Sequence, residues 1–343
     1  MRLVAFTGVL STYRDWASTV VSRPLPIEVV RSCKTSMQRR SFLSLAASSR
    51  VLKFSPQVRA RKPQSTPLAR LQANIERITK SVDAKWGVYV KCLETGEEIA
   101  LNADAQMETM SVIKIPLMVE VFRQMAAGKF KNDDRLTLRN EDKLAGTGVI
   151  RSLEEGVAFT IHDLLMLMII VSDNTATDLL FREVGGIEPV NALCQSYGLQ
   201  QTRATGLAKA WFDALRAASS AEEFYRKGEH PFGLSSPRDI GRLLERIKTG
   251  SAVSEQASAQ VMTMLRRQVY RTRLPKYVEG FTVAHKTGDF LPFVGNDVGV
   301  FESPERNVVV SVFTADHFGI GANLEDAIGR VGEQIAVYYA YRS

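Results

Sequence analysis

Apolar residues first recur at helical spacing at Leu71, Ile75 and Ile78, which predicts a helix over Leu68–Val82. The period then drops to two. Trp86, Val88, Val90 and Cys92 fall on one face of a strand predicted over Lys85–Leu93. Glu94–Glu97 reads as a turn and Glu98–Leu101 as the returning strand of a hairpin. A helix is predicted from Ser111 to about Ala127, closed by Gly128. Residues 131–249 are patterned mostly as helices, with loops at Gly146–Gly148, Gly185–Gly186 and Gly228–Gly233. Three strands follow at Phe281–Lys286, Asp297–Glu302 and Asn307–Thr314. Leu324, Ile328, Val331 and Ile335 then mark the inner face of a C-terminal helix. Strands therefore lie at both ends of this region and helices between them. The expected fold class is α+β: an antiparallel sheet assembled from both chain ends and flanked by helices. It comprises residues 69–130 and 250–343, with an inserted all-α domain at 131–249. A junction of that kind is a common place for a cleft.

Composition sharpens this picture at the N-terminus. The chain has 343 residues, 45% apolar and 24% charged, ordinary values for a protein with a sizeable core. Its net charge of +7 is unevenly placed. Residues 1–70 hold 13 Lys and Arg against two Asp and Glu, a net +11, whereas residues 71–343 are net −4. The basic character belongs to a leader, and a nucleic-acid-binding body is disfavoured. Arg39 and Arg40 precede a short apolar run within Met37–Ser49, the pattern of a twin-arginine export signal. Residues 54–68 contain three prolines and read as a linker, so 1–68 is expected to be export leader and linker. The longest apolar run, Leu164–Val171, is far shorter than the roughly 18 residues needed to cross a bilayer. The expected product is an exported, periplasmic or secreted monomer without a stable membrane span. Of the three cysteines, Cys33 lies in the leader, and Cys92 and Cys194 are expected to be small buried apolar residues. With only four histidines and no metal-ligand spacing, neither a metal nor another cofactor is expected.

Three short motifs carry chemistry. Ser111 and Lys114 form S-x-x-K, and on a helix the two share a face, so the lysine can lie beside the hydroxyl. Serine is a weak nucleophile until a base takes its proton, and a lysine serves if burial lowers its pKa. Alone this pattern is weak, since chance supplies about one in a chain this long. Ser172, Asp173 and Asn174 directly follow the apolar run, where they could be only a helix cap. They could also supply a relay hydroxyl and an amide for a substrate carbonyl. Lys286, Thr287 and Gly288 are expected to end the strand beginning at Phe281. Its edge could pair with an extended acyl-amide substrate while the lysine and the hydroxyl hold a carboxylate.

In this order and spacing, S-x-x-K, S-D-N and K-T-G resemble the serine β-lactamase-like family, nearest class A, which also includes penicillin-binding proteins. The resemblance runs from about residue 70 to the C-terminus and takes in Gly146–Gly148, Ser236–Asp239 and Gly295–Asp297. It implies that Ser111 is the acylated nucleophile and Lys114 its base partner. Ser172 would pass a proton to the leaving nitrogen, and Asn174 would bind the acyl side chain. Lys286 would support Ser172 and, with Thr287, receive the substrate carboxylate. The backbone N–H groups of Ser111 and of Asp289, which follows Gly288, would form the oxyanion hole.

The chain also departs from that family. Class A enzymes carry a glutamate in an E-x-x-L-N pattern that activates the deacylating water, and Thr202–Ser235 contains no such pattern. Its acidic residues are Asp213, Glu222, Glu223 and Glu229. Glu229, flanked by Gly228 just ahead of the next helix, is the candidate deacylation base. His285 stands where the family more often has an acidic residue. Three readings follow. The first is a hydrolase that opens β-lactam amides through a Ser111 acyl-enzyme. The second is a D,D-peptidase-like or esterase-like acyl hydrolase acting on acyl-D-Ala-type substrates, with slow release of β-lactams, which the missing glutamate favours. The third is a non-catalytic cell-wall binding module, which has no need of the two motif lysines.

Overall fold

The computed structural model describes residues 66–229 and 231–340. The paired arginines, Cys33 and the rest of the leader lie outside the described residues. Thr66 accepts the Ala69 amide at 3.2 Å and caps α1 (Pro67–Lys80), whose first turn opens with a proline that needs no N–H partner. The hairpin β1 (Lys85–Cys92) and β2 (Glu98–Leu101) follows, then the short β3 (Met107–Glu108). A tight 3-10 turn, Met110–Ile113, runs directly into α2 (Lys114–Ala126). Next come β4 (Arg135–Thr137), β5 (Ala158–Thr160), α3 (Ile161–Ile170), α4 (Asn174–Val184), α5 (Glu188–Ser196) and β6 (Arg203–Ala204). The chain continues through α6 (Ala208–Ala217), α7 (Ala221–Lys227), β7 (Gly233–Ser235), α8 (Pro237–Lys248) and α9 (Glu255–Arg266). It ends with β8 (Thr282–Phe290), β9 (Val294–Glu302), β10 (Asn307–Ala315) and α10 (Gly321–Ala340).

The main sheet has the order β2-β1-β10-β9-β8 and is antiparallel throughout. Val88 of β1 pairs with both Leu101 and Val312, so strands from the two chain ends meet in the sheet as the patterning predicts. One face packs on the terminal helices, where Leu71, Ile75, Leu324, Ile328 and Ile335 meet Val88, Val308 and Val312. The other face, including Val298, Val309 and Phe313, joins the core of α2, α3, α4 and α8. With both faces covered, Val308–Val312 reads as an apolar run broken only by Ser311 rather than an alternation. Each fully buried Val or Ile there contributes about 1.5–3 kcal/mol.

The structure corrects the sequence reading at two places. Residues 131–249 are not purely helical, because β4 pairs with β5, and β7 pairs with β6 and β3. Strands of two or three residues are too short to leave a periodic signal. The K-T-G residues do not end their strand. They sit inside β8, which continues to Phe290 and pairs Asp289 with Gly295. Trp211 and Phe212 lie on α6, within the region patterned as helical. Cys92 and Cys194 are fully buried, and burial pushes the Cys194 thiol up to about 12.

Candidate active site

Ser111 sits where three constraints meet. Met110, just before it, is held at φ +45°, a left-handed conformation that a side-chain-bearing residue adopts only under surrounding pressure. Part of that pressure comes from β8. A Cβ on Gly288 would lie 2.3 Å from the Thr109 carbonyl oxygen and 3.1 Å from the Ser111 nitrogen, so only glycine lets the strand close on the nucleophile segment. Asn296 of β9 reinforces the approach, its amide donating to the carbonyls of Glu108 and Thr109 at 2.8 and 3.1 Å. The turn then places Lys114 at the start of α2, fully buried.

Lys114 Nζ donates to the Ser172 carbonyl at 2.8 Å, to Ser172 Oγ at 3.1 Å and to Asn174 Oδ1 at 3.0 Å. Lys286 Nζ, also fully buried, donates to the same Ser172 Oγ at 3.0 Å and to the Thr287 carbonyl at 2.8 Å. Two lysines of different elements thus converge on one hydroxyl, and Ser172 is itself held at φ +56°. Burial pushes the Lys114 ammonium down to about 7, against the raising fields of Asp173 and Asp178. Burial and then the neighbouring Lys114 push Lys286 well below its usual value. Two positive charges this close in a dry site are unfavourable, so near neutrality the pair holds a lysine nitrogen able to accept a proton.

The S-D-N loop is built around Asp173. Its carboxylate caps α4 through the Ala176 amide at 2.9 Å and accepts Val149 and Ile150 N–H at 2.7 and 2.9 Å. Asp173 therefore fastens the Gly146–Gly148 loop beside the site, and Thr147 Oγ1 donates to the Ser172 carbonyl at 2.8 Å. Asn174 donates to the Ala145 carbonyl at 3.1 Å. A cavity of about 300 Å³ opens over these groups, lined on its polar side by Ser111, Thr147, Ser172, Asn174 and Asp289. Of the sequence-predicted residues, Ser111, Ser172, Asn174 and Asp289 line it directly. Lys114, Lys286 and Thr287 lie buried beneath, and Gly288 braces the nucleophile segment. Thr287 Oγ1 is buried without a hydrogen-bond partner. The Asp289 carboxylate is ion-paired with the buried Arg273.

Glu229 is not brought to this site. It is exposed, follows the left-handed Gly228 (φ +62°) that ends α7, and does not line the cavity. Asp213, Glu222 and Glu223 pair with Lys209, Arg226 and Lys227 on exposed helix surfaces. Near the cavity, Asp178 is occupied in another way. Its two oxygens accept the Ala208 and Lys209 amides at 2.8 and 2.9 Å and fix the start of α6. His285 is a buried strand residue whose ring bonds to Asp297 at 2.8 Å, and the other Asp297 oxygen accepts the Leu274 amide. The sequence reading missed the bracing by Asn296 and Asp178, and the apolar wall of Trp211, Phe212 and Phe232. Asn296 lies within the matched Gly295–Asp297 segment, which did not disclose its bracing role, and the wall was signalled by the adjacent aromatics Trp211 and Phe212.

A family model described as the β-lactamase enzyme family matches residues 70–339. The chain belongs to that family. Membership makes it a serine enzyme of the class-A-like β-lactam hydrolase type, with the S-x-x-K, S-D-N and K-T-G residues assembled around one cavity. A β-lactamase from Streptomyces lavendulae is 27% identical over 291 residues, covering 81% of this chain and 89% of that protein. A β-lactamase structure from Sphaerobacter thermophilus superposes with a TM-score of 0.69 at 30% identity, covering 79% of this chain and 97% of that one. PBP-A superposes with a TM-score of 0.70 at 25% identity, covering 82% and 99%. A mutant of PBP-A was solved as an acyl-enzyme complex with penicillin G.

Proposed function

We propose that this enzyme opens β-lactam amides by acylating Ser111 and that release of the acyl group is its slow step. The observation that carries the first half is the convergence of Lys114 and Lys286 on Ser172 Oγ beside Ser111. The neutral Lys114 nitrogen accepts the Ser111 proton as Oγ attacks the lactam carbonyl. The developing oxyanion lies toward the backbone N–H groups of Ser111 and Asp289. The proton then passes through Ser172 to the departing lactam nitrogen as the C–N bond breaks. Lys286, sealed beneath Thr287, acts on the substrate carboxylate through its field, and the unpartnered Thr287 hydroxyl makes the direct bond. Asn174 faces the acyl amide from the opposite side.

The second half rests on the carboxylates. The one acidic side chain among the described residues lining the cavity is Asp289, and Arg273 holds it. Lys114 is then the base left for the deacylating water, and it has already served acylation. This feature favours the acyl-D-Ala peptidase-like reading over rapid β-lactam turnover. Intact-protein mass during incubation with benzylpenicillin tests both halves. The wild type is expected to accumulate a one-penicillin adduct that decays slowly, and Glu229→Gln to match it within about twofold, as for a solvated surface residue. Absence of any adduct together with absence of turnover sinks the acylation reading. Fast turnover that Glu229→Gln slows restores Glu229 as the base.

We also propose that the leader exports the enzyme through Arg39 and Arg40. The contrast between the +11 leader and the −4 remainder supports this. Full-length protein is expected to leave the cytoplasm, and its Arg39→Lys, Arg40→Lys variant to stay inside. Equal export of both rejects the twin-arginine route.

A further inference from the structure

The apolar side of the cavity is formed by Met110, Trp211, Phe212, Leu215, Phe232 and Phe290. Trp211 is its centre. The indole meets the rings of Phe212, Phe224 and Phe290 edge-on, with centroids 5.0, 5.2 and 5.0 Å away. Its N–H is buried and has no hydrogen bond of good geometry, and the acceptor close enough to act on it is the Glu108 carboxyl. Glu108 lies on β3, three residues before Ser111, and its Oε1 also accepts the Phe232 amide at 3.3 Å. One carboxyl thus bonds to one residue of the apolar wall, Phe232, and faces the indole N–H of a second, Trp211.

No Lys, Arg or His among the described residues forms an ion pair with Glu108, and burial pushes its carboxyl up to about 7. Its surroundings explain the absence of a compensating charge. β7 contributes no titratable group. α6 carries Lys209, Asp213 and Arg216, which pair with one another at the exposed surface. α7 presents Tyr225, whose hydroxyl donates to Asp316, itself paired with Lys85 at 2.6 Å. On β8 the Asp289 carboxylate is taken by Arg273, and Asn296 of β9 donates to the Glu108 backbone rather than to its side chain.

We propose that Glu108 is a positioning residue that sets substrate specificity: through Trp211 and Phe232 its carboxylate shapes the cleft for an acyl group bearing an aromatic or similarly bulky apolar side chain. The proposal rests on reading Ser111 as the residue acylated by β-lactams. An ionised carboxylate accepts N–H bonds about twice as strong as a neutral acid does, so the wall is held firmly above pH 7 and loosened below it. Lys114 titrates in the same range but acts on every substrate alike, so its effect cancels in a ratio between two penicillins.

The test compares acylation of the full chain by benzylpenicillin, with its phenylacetyl group, and by 6-aminopenicillanic acid, which has no acyl group. In the wild type the ratio of kcat/KM values is expected to rise about three- to tenfold between pH 6 and pH 8. Glu108 does not line the cavity, and Glu108→Gln is expected to hold the ratio flat at its low-pH value with acylation by 6-aminopenicillanic acid unchanged. Trp211→Phe, which leaves the Phe232 amide bond in place, is expected to shrink the rise. A flat wild-type ratio, or a rise that persists in Glu108→Gln, overturns the proposal. If neither penicillin acylates Ser111 at any pH, the underlying function is wrong, and the contact is then decided by Trp211 fluorescence, isolated by subtracting the Trp211→Phe signal. A step in emission near pH 7 that Glu108→Gln removes upholds the clamp, and emission without such a step overturns it.

Discussion

Ser111→Ala is expected to abolish both penicillin turnover and the covalent adduct, with kcat/KM falling by at least about 10³-fold. Neither of the other two hydroxyls lining the cavity among the described residues is free to substitute. Ser172 Oγ already receives hydrogen bonds from two lysines, and Thr147 Oγ1 is committed to the Ser172 carbonyl. The substitution removes one oxygen from a half-buried position that has no hydrogen bond among the described residues, so the fold is expected to persist. Intact mass and a thermal melt on the same sample check this. A penicillin adduct on the folded alanine variant overturns the nucleophile assignment.

The second large effect is expected at Lys114. Replacing it with methionine keeps the volume of a fully buried side chain but removes the proton acceptor, and general-base loss of this kind costs about 10²–10⁴-fold in rate. The pH profile carries the sharper information. A lysine lowered to about 7 is protonated below that value and neutral above it. Wild-type acylation should therefore rise through pH 7 and level off by about pH 8, while the residual rate of Lys114→Met stays flat across that step. A variant that keeps the step places the base elsewhere, with the neighbouring Lys286 the first alternative. The methionine variant also leaves Asn174 Oδ1 and the Ser172 carbonyl without the donor they share, so some destabilisation is expected beside the kinetic effect.

What the sequence disclosed and what it hid follow from the physics of each signal. Ser111, Lys114, Ser172 and Asn174, which the structure brings together, were legible because they stand in short motifs whose residues lie close along the chain. The C-terminal helix was legible because Leu324, Ile328, Val331 and Ile335 repeat at its period, and all four are fully buried. The extent of β8 was hidden, because beyond the apolar start at Val283 its residues are chosen for chemistry rather than alternation. The β3–β7–β6 sheet was hidden because two-residue strands carry no period at all. Glu229 misled for a related reason. Its flanking glycine marked a turn, and a sequence does not say which way a turn points. Glu108 gave no warning, because a carboxyl between Met107 and Thr109 reads as a surface residue until the wall around it is seen.

The strand order has a consequence for how this chain comes into being. β1 and β10 are central neighbours, yet Lys85 pairs with Ala315, some two-thirds of the chain away. A ribosome therefore releases β1 and β2 long before the strand that must lie beside them. Until Asn307–Ala315 emerges, the apolar edge of β1 has no partner, while the helices from α2 to α9 can already collect around Phe181 and Leu244. Gly288, which wedges β8 against Thr109 and Ser111, arrives just as late. Catalytic competence is thus withheld from every nascent or truncated form that lacks β8 or β10, and long-range pairing of this kind makes folding slow relative to helix formation. A chain cut before β10 should bind and hydrolyse nothing, however well its helical half has collapsed.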